Sequence, residues 1–226
     1  MAQIELKKHN FEFSNFDVTC FDMQSSGSTQ CISRIMTEYY DFESINLDKD
    51  SVFVDIGAHA GLVSFYAAKM FPEAQFYLYE PNPIMVHAIT LGIMENKLSN
   101  IHVNPIGLSD TTKISKLNID YTNSGGSSLN VNYGQLSVPV LIYNFEDILS
   151  VFPKIDYLKM DIEGEEFTIL SALEKQKSKF FDRVTNFNLE LHDRIYGHAN
   201  FGKIISREKI QEYLNTFENL NLKIVE

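Results

Sequence analysis

The sequence is poor in cysteine and in long apolar runs. Only two of its 226 residues are cysteines, Cys20 and Cys31, and they do not form a CxxC pair, which argues against a disulfide framework or a zinc site. No apolar run approaches the roughly 20 residues that span a bilayer. The first residues also lack the apolar stretch and cleavage site of a secretory signal. We therefore expect a soluble, cytoplasmic chain that has no membrane partner.

Basic residues are also scarce. Nineteen lysines and arginines stand against thirty aspartates and glutamates, which gives a net charge of −11. This charge repels a polyphosphate backbone unless a local basic face compensates for it. The densest basic stretch, residues 174–179, is short and contains no aromatic residue, so it is typical of a solvated helix end. We expect no nucleic-acid partner and favour a small, uncharged or cationic one.

Short β-rich apolar runs alternate with helical patterns from Ser51 onward. This order predicts an α/β fold with a parallel sheet and helices on both faces. The predicted strands are residues 52–54, 75–79, 101–103, 157–160, 184–191 and 222–225. Residues 1–50 predict an N-terminal hairpin followed by a helix over 32–40. No repeat and no linker divides the chain, so we expect one domain over residues 1–226 with a core from 51 to 226.

The alternation breaks after the third predicted strand. Residues 114–117 and 138–142 read as paired strands around the polar stretch 121–128, which predicts a hairpin insertion. A short helix over 144–152 returns the chain to the sheet.

A glycine-containing loop follows the first predicted strand, in the sequence Asp55-Ile-Gly57-Ala58-His59-Ala-Gly61. The glycines allow a tight turn and let a ligand lie against the backbone. The spacing is not the G-x-G-x-x-G of a dinucleotide fold. An acidic side chain at this loop repels a pyrophosphate but suits the ammonium group of a bound amino acid. Asp55 therefore favours a cofactor that has a methionyl end.

Two further strand ends carry acids. Glu80, followed by Pro81, ends the second predicted strand, where a carboxylate can accept both hydroxyls of a ribose. Binders of NAD and of S-adenosylmethionine share this feature. Ser109 and Asp110 follow the third strand, and Asp110 could accept a hydrogen bond from an adenine amine, although alone this segment is more typical of a turn.

The fourth and fifth predicted strands of the core end in charged residues. Lys159, Asp161 and, if the chain stays extended, Glu163 point to one side, and Glu190 and His192 share a face of the next strand. Such charge at a strand end is costly unless it lines a polar cleft. For His192 the alternative is a buried histidine with a structural role. Glu165 and Glu166 have a simpler interpretation as acids in the first turn of a helix.

These motifs together resemble the FkbM-type methyltransferases. The resemblance covers about residues 53–192 and rests on five segments: 55–61, 79–83, 107–110, 158–166 and 189–192. It implies a Rossmann-like class I methyltransferase sheet that binds S-adenosyl-L-methionine and methylates hydroxyl groups of sugars, glycans or secondary metabolites. His59 departs from the family, which commonly has Asn there. The chain also ends near Val225, before the last antiparallel strand that such folds usually carry, which indicates either a truncated C-terminus or a reduced member of the family.

The resemblance also implies roles for individual residues. Residues of the glycine loop hold the methionyl end: Asp55, Gly57 with its neighbours Ala58 and His59, and Gly61. Glu80 with Pro81 binds the ribose, and Asp110 with Ser109 the adenine. Asp161, Glu163 and His192 face the methyl group and the acceptor, and Asp161 also borders the cofactor.

An in-line displacement needs alignment of oxygen, carbon and sulfur and removal of the hydroxyl proton. His192 is the first candidate for the general base, since its reference pKa near 6.5 keeps it largely neutral at pH 7, with Glu190 or Glu163 as orienting partner. Asp161 is the second. A divalent metal on Asp161, Glu163 and His192 is an alternative that we do not favour. Residues 121–128 and 194–200 either cover the acceptor or are inert loops.

Three other functions stay open. A nicotinamide-dependent dehydrogenase shares the sheet and Glu80 but needs the missing dinucleotide spacing. A non-catalytic binding module on the same fold keeps Gly57 and Glu80 and binds without turnover. A nucleic-acid N-methyltransferase is disfavoured by the charge and by the lack of an Asn-Pro-Pro-aromatic motif after the fourth core strand.

Overall fold

A six-stranded parallel sheet forms the centre of the molecule. The computed structural model describes residues 4–132, 134, 136–192, 194–195, 199–200 and 204–225. The sheet strands are β3 (Val52–Ile56), β4 (Gln75–Tyr79), β5 (Ile101–Asn104), β9 (Ile155–Met160), β10 (Val184–Glu190) and β13 (Asn221–Val225), in the order β13-β10-β9-β3-β4-β5. All five pairings between them are parallel. The carboxyl ends of all six strands therefore meet at one edge, where such sheets bind ligands.

Helices cover both faces of this sheet. They are α2 (Leu62–Met70), α3 (Pro83–Asn96), α4 (Phe145–Leu149), α5 (Glu165–Gln176) and α6 (Arg207–Leu214). Alternation along β3 sends Phe53 into an apolar cluster with residues of α2, and Val54 and Ile56 into a second cluster with residues of α5 and α6. Both clusters are fully buried at their centres. The predicted α/β fold with helices on both faces of the sheet is therefore confirmed.

Side-chain caps fix the start of three helices, as their sequences indicate. Asn82 accepts from the N–H of Ile84 at the start of α3, and Pro83 stands at the first helical position. Asn144 caps α4 and Ser206 caps α6 in the same way. These caps satisfy N–H groups that have no partner within a helix. The start of each of these three helices is therefore fixed by a residue of the local sequence.

The predicted hairpin insertion is present and carries a third strand. β7 (Lys113–Ile119) pairs antiparallel with β8 (Leu136–Asn144), and β6 (Gly107–Ser109) pairs parallel with the other side of β8. The polar stretch between β7 and β8 contains a 3₁₀ turn at Ser124–Gly126. This turn returns toward the main sheet, since Ser128 donates to the carbonyl oxygen of Glu163.

The N-terminal segment forms the expected hairpin and helix. β1 (Leu6–Glu12) pairs antiparallel with β2 (Asp17–Met23), and α1 spans Ser28–Tyr39. The helix begins four residues before the predicted residue 32. Its first turn is stabilised by a residue outside the helix, because the N–H of Thr29 donates to the carboxylate of Asp22. Asn96 of α3 bonds the backbone of Thr19, which fixes the hairpin to the core.

The C-terminal segment ends on an edge strand. β13 follows α6 and pairs parallel with β10, and Phe217 lies just beyond the C-terminal end of α6. β11 (Arg194–Ile195) and β12 (Ala199–Asn200) form a two-residue ladder, while the rest of the predicted covering segment 194–200 lies outside the described residues. None of the helices built from described residues is long and apolar enough to cross a membrane.

Candidate active site

A cavity of about 210 Å³ opens at the carboxyl ends of β3, β4 and β9. The sheet supplies its floor, and the N-terminal helix α1 together with the 3₁₀ turn of the insertion supplies its roof. Ser28, Cys31, Ile32 and Tyr40 line it from the α1 side, and Ser124 lines it from the insertion. The N-terminal segment is thus part of the site.

The glycine loop after β3 bends sharply under the cavity. Gly57 has a φ of +81°, and a Cβ placed on it would lie 1.9 Å from the carbonyl oxygen of Asp161. Its N–H donates to the carbonyl oxygen of Tyr79 at the end of β4. The loop is therefore locked between two neighbouring strand ends, and only glycine fits at position 57. His59 follows with a φ of +51°, and Gly61 starts α2.

Asp55 lies beneath this loop and is fully buried. Its carboxylate accepts from the Ser64 hydroxyl at 2.6 Å and lies 3.2 Å from the ammonium of Lys159, its register partner on β9. Lys159 Nζ also donates to the Gly57 carbonyl and lies 3.4 Å from Asp161. Although burial lowers the pKa of Lys159, the carboxylates of Asp55 and Asp161 raise it well above its ordinary value. Asp55 thus supports the glycine loop from below, which differs from the direct contact that the sequence predicts.

Glu80 lines the cavity beside the glycine loop. Its two carboxylate oxygens accept from the N–H groups of His59 and Asn82, each at 2.8 Å. Burial raises the pKa of Glu80 to about 7, although these two hydrogen bonds act in the opposite direction. Glu80 therefore joins the loops after β3 and β4, and a carboxylate can accept further bonds from a ligand.

The segment after β5 contributes backbone and apolar groups to the cavity. Gly107 and Leu108 of β6 line it, next to Pro81 from the loop after β4, whereas Ser109 and Asp110 do not. The Ser109 hydroxyl contacts both Glu165 and Asp110. The predicted contact between Asp110 and a ligand is therefore not visible in this arrangement, because the side chain lies past the end of β6.

A hydrogen-bond network ties the roof to the glycine loop. The Ser124 hydroxyl donates to the fully buried carboxylate of Asp22, and its oxygen lies 2.6 Å from Nε2 of His59. Burial raises the pKa of Asp22, but the His59 imidazole 3.7 Å away and hydrogen bonds from Ser124 and the N–H of Met23 outweigh it and lower the pKa to about 2. Three segments that are distant in sequence thus meet at one buried acid.

His192 lies at the far end of the site among carboxylates. Nδ1 is 3.1 Å from Glu166, and Nε2 is 3.5 Å from Glu190 and 3.7 Å from Glu163. Burial lowers the pKa of His192, but the carboxylates of Glu166, Glu190 and Asp161 outweigh it and raise the pKa to about 12. The sequence predicted a largely neutral ring at pH 7, whereas the carboxylates around it favour the protonated ring. A protonated imidazole has no lone pair to accept a proton.

Three carboxylates near His192 face the cavity: Asp161, Glu163 and Glu190. The chain does not stay extended past β9, since Glu163 has a φ of +52°. Burial raises the pKa of Glu163 to about 8, and the charges of Asp161, Glu166 and Glu190 act in the same direction against that of His192. The pKa of Asp161 is lowered instead, because Lys159 and His192 outweigh its burial.

The structure brings together about half of the predicted site residues. The predicted residues that line the cavity are Gly57, His59, Glu80, Pro81, Asp161, Glu163 and Glu190; Asp55, Ala58, Gly61, Ser109, Asp110 and His192 lie behind them. The sequence did not indicate Tyr40 or Glu165 as cavity residues. The polar, glycine-containing composition of 121–128 was the one signal for Ser124.

The comparisons with known proteins agree with this architecture. Residues 55–221 match the family model of the methyltransferase FkbM domain. "Methyltransferase sdnD" of Sordaria araneosa is 24% identical over 168 residues, which cover 60% of this chain and 65% of that protein. "Methyltransferase 1" of Beauveria bassiana is 23% identical over 166 residues, with coverages of 64% and 66%. The matched region thus spans just under two thirds of each relative.

Among solved structures, the methyltransferase FkbM of Methylobacillus flagellatus is 18% identical, with a TM-score of 0.43, over 63% of this chain and 35% of that one. The family match extends from the buried Asp55 under the glycine loop to the first residue of β13, and it contains β4, β5, β9 and β10 in full. The chain therefore belongs to the FkbM methyltransferase domain family.

Proposed function

We propose that the chain is an S-adenosylmethionine-dependent O-methyltransferase that acts on a hydroxyl group of a sugar, glycan or secondary metabolite. The charge of the cavity wall is the observation that carries the proposal. Five carboxylates line it, from Glu80, Asp161, Glu163, Glu165 and Glu190, and among the described residues no lysine or arginine does. A wall of this sign attracts a cationic ligand.

The negative charge of the cavity wall discriminates between the two cofactors that this type of sheet binds. S-Adenosylmethionine carries a positive sulfonium and an ammonium group, whereas NAD carries a negative pyrophosphate. Carboxylates around the loop after β3 therefore favour the first and repel the second. The loop also lacks the second glycine that makes room for a pyrophosphate.

The residues of the cavity fit the parts of S-adenosylmethionine. Glu80 lines the cavity and would accept from the ribose hydroxyls, and the apolar side chains of Met85, Leu108 and Leu117, which line the same cavity, suit an adenine ring. The turn at Gly57 leaves room for the methionyl part. This fit supports the cofactor assignment but leaves Asp110 without a role in it.

The acidic end of the cavity supports transfer to oxygen. S-Adenosylmethionine supplies an activated methyl group on sulfur. In the proposed step the acceptor oxygen forms a bond to the methyl carbon, the C–S bond breaks with its electron pair going to sulfur, and the hydroxyl proton passes to a carboxylate. Glu163 is our candidate for this base, because it lines the cavity and a pKa of about 8 makes its ionised form a stronger proton acceptor than an ordinary carboxylate. Only this ionised form accepts the proton, so the proposed step is favoured as the pH rises toward 8.

His192 takes a positioning role in this proposal. Its ring lies behind Glu163 and Glu190 and is held by Glu166. Orienting two carboxylates toward the acceptor needs no proton acceptance by the ring. If His192→Ala and His192→Gln both keep the wild-type turnover number, even this indirect role is wrong.

Calorimetric titration of the purified chain tests the cofactor assignment. We expect selective binding of S-adenosylmethionine and S-adenosylhomocysteine over NAD, weakened at least tenfold by Glu80→Gln and unchanged by Glu95→Gln, an identical change on the exposed face of α3. Methyl transfer from labelled S-adenosylmethionine to a panel of sugars and hydroxylated metabolites then tests the reaction. Binding of NAD alone overturns the proposal, and cofactor binding without transfer to any hydroxyl supports a non-catalytic module.

A further inference from the structure

Three ligand-type atoms converge at the acidic end of the cavity, one each from Asp161, Glu190 and His192. They all lie within 4.8 Å of one another. A cation held at about 2.1 Å places its ligand atoms at most about 4.2 Å apart. An inward movement of a few tenths of an ångström by each atom therefore completes a cation site. The set differs from the one considered from sequence, because Glu190 takes the place of Glu163.

A second observation concerns the orientation of the imidazole. Glu166 is fully buried, accepts from the N–H groups of Ile162 and Gly164, and lies 3.1 Å from Nδ1 of His192. This carboxylate belongs to α5 and is not one of the three convergent groups. It fixes the ring so that Nε2 faces Glu190, 3.5 Å away. In a metal-binding histidine, the ring nitrogen that does not bind the metal almost always donates a hydrogen bond to such a carboxylate or to a backbone carbonyl oxygen.

The cluster is also open on one side. Asp161 and Glu190 line the cavity, so a cation between them is reachable from it. Three protein ligands with an open side are the arrangement of catalytic rather than structural metal sites. One imidazole and two carboxylates form a mixed nitrogen and oxygen donor set, which suits ions such as Mn²⁺.

We propose that Asp161, Glu190 and His192 bind one divalent cation of the class that accepts mixed carboxylate and imidazole ligands. The cation takes the lone pair of Nε2 that a proton occupies in its absence, as metal binding to histidine always requires. Lys159 lies 3.4 Å from one oxygen of Asp161, and the second oxygen of that carboxylate serves the cation.

The role of the cation rests on the proposed function. An acceptor hydroxyl that reaches this end of the cavity becomes a further ligand, and the positive ion lowers the pKa of that hydroxyl. The proton then passes to a nearby carboxylate such as Glu163, and the oxygen is oriented toward the methyl group. The cation thus determines which hydroxyl of the acceptor is methylated.

Titration of the purified full chain with Mn²⁺ alone tests the site. The free Mn²⁺ is measured by electron paramagnetic resonance, and the heat of binding is measured by calorimetry. We expect one bound ion per chain. Asp161→Asn and Glu190→Gln are expected to weaken binding at least tenfold. Glu165→Gln, which changes another carboxylate of the same cavity wall, is the matched control and is expected to leave the affinity within threefold. Far-ultraviolet circular dichroism checks that each variant is folded.

Absence of Mn²⁺ binding by the folded wild-type chain overturns the proposal without any variant. So does binding that Glu165→Gln weakens as much as Glu190→Gln. The outcome is independent of the methyltransferase assignment: a chain that binds S-adenosylhomocysteine but no Mn²⁺ loses only the cation site. A chain that binds Mn²⁺ but no S-adenosylhomocysteine loses the proposed function instead.

Discussion

Lys159 and Asp55 face each other on neighbouring parallel strands, with 3.2 Å between Nζ and Oδ1 and both side chains buried. This pair joins the first and fourth strands of the core directly below the glycine loop. Because the ammonium also donates to the Gly57 carbonyl, the pair couples the stability of the sheet to the shape of the cofactor loop. A buried charge is tolerated only while its partner is present.

Lys159→Met is expected to destabilise the chain by about 3–5 kcal/mol, since it leaves the Asp55 carboxylate buried and unpaired. Adding Asp55→Asn is expected to recover at least half of this loss. Urea unfolding of the single and double variants measures both values. Lys154→Met removes an exposed lysine that pairs with Asp156, and the expected cost is under 1 kcal/mol. Strict additivity of the Lys159 and Asp55 changes contradicts this coupling.

The buried carboxylate of Asp22, which links the roof to the glycine loop, predicts that the free energy of unfolding depends on pH. The folded-state pKa of Asp22 is about 2 and its unfolded value is near 3.9. A lowered pKa contributes stability that is fully present above about pH 4 and is lost as the pH falls toward 2, here about 2–3 kcal/mol. The free-energy difference between wild type and Asp22→Asn is therefore expected to shrink by this amount between pH 5 and pH 2 in urea unfolding.

The control for this prediction is Asp50→Asn at an exposed turn, for which the difference from wild type should not change over the same range. A constant difference for Asp22→Asn would show that the buried carboxylate gains nothing from His59 and Ser124. Loss of cofactor affinity without loss of stability would instead show that Asp22 acts on the position of the roof over the cavity.

Much of the core was predictable because its signals are local. Asn82 and Asn144 lie where helices start, and the charged residues 159–163 and 188–192 lie at the carboxyl ends of apolar strands. Their convergence at one sheet edge therefore follows from parallel pairing. The roof was not predictable in the same way. Ser124 and Asp22 are 102 residues apart, and no local pattern pairs them.

The charge state of the site was also beyond the sequence. The reference pKa of histidine describes a solvated ring. The value for His192 depends on its distances to Glu166 and Glu190, which lie on different elements. Likewise, the sequence predicted that the Asp55 carboxylate contacts a ligand. Only the register of β3 against β9 shows that it lies opposite Lys159 and pairs with that ammonium group. Tertiary distances decide both cases.

Glu80 predicts a pH dependence of cofactor affinity. Its pKa is raised to about 7 by burial, so the carboxyl is increasingly protonated below pH 7 and loses acceptor capacity for the ribose hydroxyls. The dissociation constant of S-adenosylhomocysteine is expected to rise severalfold between pH 8 and pH 6. Calorimetry at both pH values on wild type and on Glu80→Gln measures this. If Glu80→Gln keeps the full pH effect, another group is responsible.

Gly57→Ala tests whether the cofactor loop tolerates a side chain. The new Cβ would lie 1.9 Å from the Asp161 carbonyl oxygen at a φ of +81°, so the loop must shift and carry Asp161 with it. We expect at least a tenfold loss of S-adenosylhomocysteine affinity in calorimetry. Gly134→Ala is the matched control: Gly134 has a φ of +70° but no atom within 4 Å of the new Cβ. It carries the same type of backbone strain, of order 1 kcal/mol, without the collision. Equal losses for both variants would mean that strain rather than contact with Asp161 governs the loop, whereas a loss confined to position 57 ties cofactor binding to the junction of β3 and β9.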